Sequence, residues 1–480
     1  MSTTDAGTPD FAPSVWRLKR DDRQTLVAQV AGNFIERMNS GELRIGERVA
    51  SIRKLASEAG IGFSTAVEAY EVLVAQGYLE ARRGSGYYVK SRNPAAGLRP
   101  AGLLPPKRLV DTTWLIRSLR DDRPSRNMPG SGMLPRAWLD EGMIAAALRA
   151  LGRQQLQTIL RYGEPLGFLP LRSQLALKLA EIHIGAAAQQ ILLTSGITHA
   201  LDIVAHEFLH PGDTVFVDDP GWFVMFGRLK ALGAKVVGIP WTADGPDLAR
   251  ANALASVHRP KLYVINPILH NPTGGTISAA KAHELLKQAE RHNYLIVEND
   301  AFADLAPPGT TRLATLDQLQ RVIYVSGFSK TLAAGLRVGF IACNERMTGA
   351  LADQKMLGAL TSSEMNERVV HRILSEGHYR KHVAKLRARL DATRAGAIRN
   401  IESIGLRVPE TSCDGMFVWA DAGVDTSALA QRALAQDFVL APGRVFTPDL
   451  RPSTWMRINI SACSHPSVLA MLKSELNSSR

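Results

Sequence analysis

Tyr324-Val325-Ser326-Gly327-Phe328-Ser329-Lys330-Thr331 is the stretch on which the reading of this chain turns. A short apolar strand runs into a lysine flanked by hydroxyls. A lysine buried in that way is how a protein holds an aldehyde cofactor as a Schiff base. Outward from Lys330, polar punctuation recurs at the ends of short apolar runs on both sides.

Those runs lie at 190–194, 214–218, 235–239, 261–265, 294–298, 322–325 and 337–342, with helical stretches between them from about residue 140 onward. The alternation predicts an α/β domain around a largely parallel sheet, with ligands beyond the C-terminal ends of its strands. No Gly-x-Gly-x-x-Gly joins a strand to a helix, so a nicotinamide-binding reading fails. Thr194-Ser195-Gly196-Ile197-Thr198-His199 opens a helix directly after a strand, and its free amides suit a phosphate. Asp219-Pro220-Gly221-Trp222 offers an aromatic face for a flat ring. Asn266-Pro267 through His270-Asn271-Pro272-Thr273-Gly274-Gly275 places an amide where a phenolic oxygen could bind, and Glu298-Asn299-Asp300-Ala301-Phe302 ends a strand with acidic groups. Arg337 follows Lys330 in Gly335-Leu336-Arg337-Val338-Gly339.

The N-terminal part reads differently. Residues 25–38 put Leu26, Val27, Val30, Phe34, Ile35 and Met38 on one helical face, and Asn39-Ser40-Gly41 ends that helix. Ser51 can cap a second helix over 52–59, Gly60-Ile61-Gly62 makes a tight turn, and a third helix follows over 64–76. Strands at 78–81 and 87–90 flank the basic turn Arg82-Arg83-Gly84-Ser85-Gly86. Three helices and a glycine-tipped hairpin describe a winged helix-turn-helix over 14–90. Its third helix would enter a major groove while the wing lies over phosphates. Arg53, Ser64, Thr65, Arg82 and Arg83 are the candidate DNA contacts.

Charge agrees with a nucleic-acid partner. The chain carries net +12, and residues 14–90 hold twelve Lys/Arg against nine Asp/Glu. Residues 91–126, rich in Pro and Arg, read as a linker, with a helical stretch at 111–119 ahead of a domain spanning 127–480. No apolar run approaches the length of a membrane span and no signal-peptide core is present, so the cytoplasm is expected. Cys343, Cys413 and Cys463 are widely spaced and form neither a metal pattern nor a disulfide framework, so no metal is expected.

Residues 24–90 resemble the GntR family of bacterial regulators. Ser40-Gly41-Glu42-Leu43, Gly46-Glu47-Arg48, Ser51-Ile52-Arg53-Lys54-Leu55-Ala56, Ala69-Tyr70-Glu71-Val72-Leu73 and Gly77-Tyr78-Leu79-Glu80 carry the likeness. Phe63 stands where that family usually has arginine or another polar residue, and Glu68 where a basic residue is frequent. From about residue 127 the order of motifs resembles fold-type I pyridoxal-phosphate enzymes of the aspartate aminotransferase group. Together the two parts look like the MocR subfamily of GntR regulators. The implied fold is a large parallel-sheet subdomain plus a smaller α+β C-terminal subdomain, and the implied cofactor is pyridoxal 5'-phosphate.

That resemblance implies a Schiff base at Lys330, stacking by Trp222, and a ring-oxygen hydrogen bond from Asn271. It implies phosphate contacts from Ser195, Gly196, Ile197 and Arg337, with Ser326 one place from a further phosphate position occupied by Gly327. Arg457 would grip an α-carboxylate, and Tyr162 would reach a phosphate across a homodimer interface. Asn299 or Asp300 would meet the pyridine nitrogen. Asn299 stands where the family's carboxylate is expected, and Phe302 where a tyrosine is frequent. With Gly327, these make three changes that keep binding and erode catalysis; at Asn299 the reason is that a carboxylate beside the ring nitrogen favours its protonated, electron-withdrawing form. The expected protein is a regulator that binds DNA and senses pyridoxal 5'-phosphate or an amino compound. The rival expectation is a working aminotransferase that carries a DNA-binding head.

Overall fold

A computed structural model of the protein describes residues 16, 18, 24–82, 84–90, 110–119, 123–153, 160–409 and 414–478. The chain divides into two compact units, Met1–Pro106 and Lys107–Arg480.

In the first unit, α1 (Leu26–Asn39), α2 (Ile52–Ala59) and α3 (Phe63–Ala75) precede an antiparallel hairpin of β1 (Leu79–Arg82) and β2 (Gly86–Val89). Thr25 caps α1 by accepting from the Ala28 N–H at 3.2 Å, and Ser51 caps α2 by accepting from Lys54 at 3.3 Å. Each hydroxyl satisfies an amide that has no intrahelical carbonyl to meet. Gly60 ends α2 at φ 60°, a left-handed conformation in which a side chain would be strained. Val30, Phe34, Leu55, Tyr70 and Leu73 build the core. The Phe34 and Tyr70 rings pack edge-on at 5.4 Å, and the Tyr70 hydroxyl donates to the Ala50 carbonyl at 2.8 Å. This is the expected winged helix-turn-helix.

In the second unit, the strands are β3 (Ile191–Thr194), β4 (Thr214–Asp219), β5 (Lys235–Thr242), β6 (Gly245–Pro246), β7 (Leu262–Ile265), β8 (Leu295–Asp300), β9 (Val322–Gly327) and β10 (Gly339–Ala342). They form one eight-stranded sheet in the order β3-β10-β9-β8-β7-β4-β5-β6. β5, β4, β7, β8 and β9 run parallel, whereas β10 is antiparallel to both its neighbours. Val215 and Val217 point into one hydrophobic cluster and Phe216 into another. The sheet is covered on both faces, which is why its strands read as continuous apolar runs. The helix His378–Ser403 leads into a smaller antiparallel sheet of β11 (Phe417–Asp421), β12 (Ala441–Pro442) and β13 (Trp455–Asn459), in the order β11-β13-β12.

The helix Thr112–Ser118 is capped by Asp111, whose carboxylate accepts from the Trp114 N–H at 2.8 Å. Trp114 and Leu115 are buried in the core of the second unit, so this helix packs on that unit ahead of Asn127 and is not tether. Residues 91–109 lie outside the described residues. Among the described residues no helix is long and apolar enough to cross a membrane.

Candidate functional site

The C-terminal ends of β4, β7, β8 and β9 open into a cleft. Trp222 follows β4, Asn266 and Asn271 follow β7, Asn299, Ala301 and Phe302 come from the end of β8, and Lys330 comes from the turn after β9. All of these line it.

The Lys330 amine is drawn into protein rather than water. Its Nζ donates to the Gly132 carbonyl at 2.8 Å and lies 3.4 Å from the Met133 sulfur. Burial lowers its pKa to about 8, assisted by the positive charges of Arg457 and Arg337. A larger share of neutral, nucleophilic amine is thus present near neutral pH than on an exposed lysine.

Successive residues of β8 face opposite sides of the sheet. Asn299 turns to the cleft, and its Oδ1 is buried without a hydrogen-bond partner. Its backbone carbonyl accepts from Asn266 Nδ2 at 2.9 Å. Asp300 turns away. Its Oδ2 accepts from Arg312 Nε at 2.7 Å and from the Tyr324 hydroxyl at 2.9 Å, and it does not line the cleft. Phe302 presents a buried ring, packed edge-on against Phe417 at 5.5 Å.

At one end of the cleft stands the N-terminus of the helix Ile197–Phe208. The amides of Ile197 and Thr198 have no intrahelical carbonyl, and both residues line the cleft. Arg337 lines it too and donates through Nη2 to the Ser195 carbonyl at 3.0 Å. Gly196 is required here twice over. Its φ is 82°, and a Cβ would stand 2.8 Å from Arg337 Nη2. Helix amides and a guanidinium fork converging on one spot form an anion cradle.

Arg457, on β13, is 2% exposed. Its Nη1 donates to Asn271 Oδ1 at 2.8 Å and its Nη2 to the Gly130 carbonyl at 2.6 Å, while Nε has no partner. The guanidinium lies over the Phe417 ring at 4.5 Å and the Phe446 ring at 5.0 Å. Burial pushes its pKa down to about 9. A buried cation with an idle donor and, among the described residues, no carboxylate against it is suited to an anionic ligand.

Ser326, Asp300, Ser195 and Gly196 are placed otherwise than expected. Ser326 does not reach the cleft; strand alternation turns its hydroxyl to the Asp300 carbonyl, to which it donates at 2.9 Å. Asp300 is held by Arg312, as above. The backbone amides of Ser195 and Gly196 are already engaged, donating to His199 Nδ1 at 3.0 Å and to the Thr194 carbonyl at 2.8 Å, so Ile197 and Thr198 supply the open amides. Tyr162 is 75% exposed and lies outside the cleft of its own chain. In the first unit, Arg53 and Ser64 are exposed and Thr65 is half-buried. Arg82 is paired with Glu80 (2.5 Å) and lies 4.3 Å over the Tyr88 ring, whereas Arg83 lies outside the described residues.

Thr198, Ser329, Asn266 and the Gly130–Met133 segment were not singled out from sequence as site residues. The hydroxyls of Thr198 and Ser329 adjoin residues that were, so adjacency was the available signal. Asn266 ties the floor together, donating its N–H to Asp218 at 2.8 Å and accepting from the Asn271 N–H at 2.8 Å.

The model for bacterial regulatory proteins of the gntR family matches residues 26–89, and that for aminotransferase class I and II matches residues 131–474. The chain is 28% identical over 447 residues to the HTH-type transcriptional regulator YdfD of Bacillus subtilis, covering 88% of this chain and 90% of that one. It is 28% identical over 457 residues to YjiR of Escherichia coli, covering 91% and 94%. The solved structure of LysN, an α-aminoadipate aminotransferase from Thermus thermophilus, shares the fold at a TM-score of 0.69 and 22% identity, over 76% of this chain and 94% of that chain. The chain belongs to the aminotransferase class I and II family and joins to it an N-terminal domain of the gntR regulators, which is the MocR arrangement.

Proposed function

We propose that this protein is a transcriptional regulator that binds DNA through its winged helix and holds pyridoxal 5'-phosphate at Lys330, with the cofactor or an amino compound as effector. The buried, unpartnered Asn299 Oδ1, the Gly196 cradle and the idle Arg457 donor all fit such a group. Ile197, Thr198 and Arg337 would hold the phosphate and Trp222 the face of the ring. Asn271 would meet the ring oxygen, Asn299 the ring nitrogen, and Arg457 the carboxylate of an amino acid. When bound, the cofactor supplies an electrophilic aldehyde and a ring that withdraws electrons when its nitrogen is protonated.

The observation that carries the regulatory reading is the pair at 299 and 300. Asn299 faces the cleft without a negative charge, and Asp300 is turned away onto Arg312. Lys330 keeps a reactive amine and Arg457 keeps a carboxylate site, so recognition is retained. The charge that would hold a proton on the ring nitrogen is missing. Phe302 brings no hydroxyl to the ring oxygen. Effector binding regulates only if one conformation of the protein takes it better than another. A homodimer, with the exposed Tyr162 reaching the partner's cleft, completes the reading.

An absorbance spectrum with borohydride trapping tests it. The wild type should show a visible band with pyridoxal 5'-phosphate and be trapped, and Lys330→Ala should do neither. An unchanged band in the variant overturns the assignment. A second reading, a working aminotransferase, draws on the retained Lys330, Asn271, Arg337 and Arg457. It also draws on 29% identity over 325 residues to the 2-aminoadipate transaminase of Thermus thermophilus. Multiple turnover with an amino donor and a keto acid would establish it.

A further inference from the structure

The helix that a winged helix-turn-helix lays in the major groove has an unusual inventory here. From Phe63 to Ala75, α3 reads FSTAVEAYEVLVA, and it contains no Lys, Arg, Asn or Gln. Those are the four side chains that pair bidentately with purine edges, Arg and Lys with guanine and Asn and Gln with adenine. Ala66, Ala69, Tyr70 and Leu73 face the domain core. What α3 leaves in solvent near its N-terminus is Phe63, Ser64 and Glu68.

Phe63 is 56% exposed at the first position of the helix, and it takes no part in the hydrophobic cluster of its unit. At that position the helix presents an apolar ring, not a polar side chain, to whatever it meets. Among base edges in the major groove, thymine carries an apolar group, its 5-methyl, and phenylalanine is suited to it. Glu68 would be repelled by phosphates, yet its carboxylate can accept from the exocyclic amine of cytosine. Five residues of helix separate the two side chains by about 7.5 Å of rise, or roughly two base-pair steps.

Resting on the DNA-binding reading above, we infer that α3 reads pyrimidines, with Phe63 seated on the 5-methyl of a thymine and Glu68 accepting from a cytosine within about two steps of it. Arg53 and Lys54, exposed on α2, supply positive charge for the backbone.

The experiment uses the full-length protein with pyridoxal 5'-phosphate and a pool of random duplexes. The enriched site is then resynthesised with each thymine in turn replaced by deoxyuridine, which removes the methyl and leaves base pairing intact. One thymine per half-site should weaken wild-type binding about fourfold on demethylation, the worth of one buried methyl. That penalty should vanish in Phe63→Ala, and Glu68→Gln should relax the preference for cytosine. A demethylation penalty of equal size in wild type and Phe63→Ala overturns the inference while leaving DNA binding intact, as does a site at which no thymine methyl matters. If no duplex is enriched, with or without cofactor, the regulator reading falls and this one falls with it.

Discussion

Arg312 Nε donates to Asp300 Oδ2 at 2.7 Å, and both side chains are buried. The Tyr324 hydroxyl donates to the same oxygen at 2.9 Å. Position 300 therefore serves the interior of the large unit, and the residue before it serves the cleft.

Asp300→Ala should destabilise the protein by about 3–5 kcal/mol, because it leaves a buried guanidinium uncompensated. Denaturant unfolding of the large unit measures this. A loss under about 1 kcal/mol, the range of an exposed ion pair, would contradict the buried placement.

Asn299→Asp should raise the pKa of a bound ring nitrogen by about one to three units. Each unit is worth about 1.4 kcal/mol, so full transmission to the barrier would give about tenfold per unit in the half-reaction with an amino acid. Single-turnover absorbance checks the rate. Asp300→Asn should give no such gain. If the two variants gained equally, the assignment of Asn299 to the nitrogen would be lost.

Condensation at Lys330 should rise with pH and level off above about 8, since the neutral amine attacks and burial has lowered the pKa to about 8. At pH 7 about a tenth of the amine is then neutral, against well under a thousandth at the ordinary lysine value. Arg457→Gln removes a nearby positive charge and should shift the inflection upward. A stopped-flow pH series reads both. An inflection near 10 in the wild type would show that the amine is not buried.

Gly196→Ala should cost about 1–3 kcal/mol of stability from its backbone conformation and displace Arg337 from the cradle. Binding of pyridoxal 5'-phosphate should fall far more than binding of pyridoxal, since the phosphate end alone is disturbed. Fluorescence titration with both compounds decides it, and an equal loss for the two would place the phosphate elsewhere.

Much of this was legible from sequence because the sheet strands are apolar runs ended by polar residues. The run at 322–325 extends two residues further as β9 (Val322–Gly327), and 52–59 is the second helix as written. Arg337 lies outside its strand: φ of 50° turns it ahead of Gly339 and aims the guanidinium at Ser195. The choice between Asn299 and Asp300 was not legible. In a strand buried on both faces, apolar residues occupy both sides, so alternation tells that neighbours diverge without telling which faces the cleft. The bonds from Lys330 to Gly132 and from Arg457 to Gly130 join residues far apart in the chain, and no local pattern announces them.

The facing of β8 also bears on how such a protein could change its trade. Asp300 can reach the cleft only if the whole strand slips past both neighbours by one residue, which would break the sheet. Asparagine and aspartate codons differ at a single base, so position 299 lies one point mutation from a charged partner for the ring.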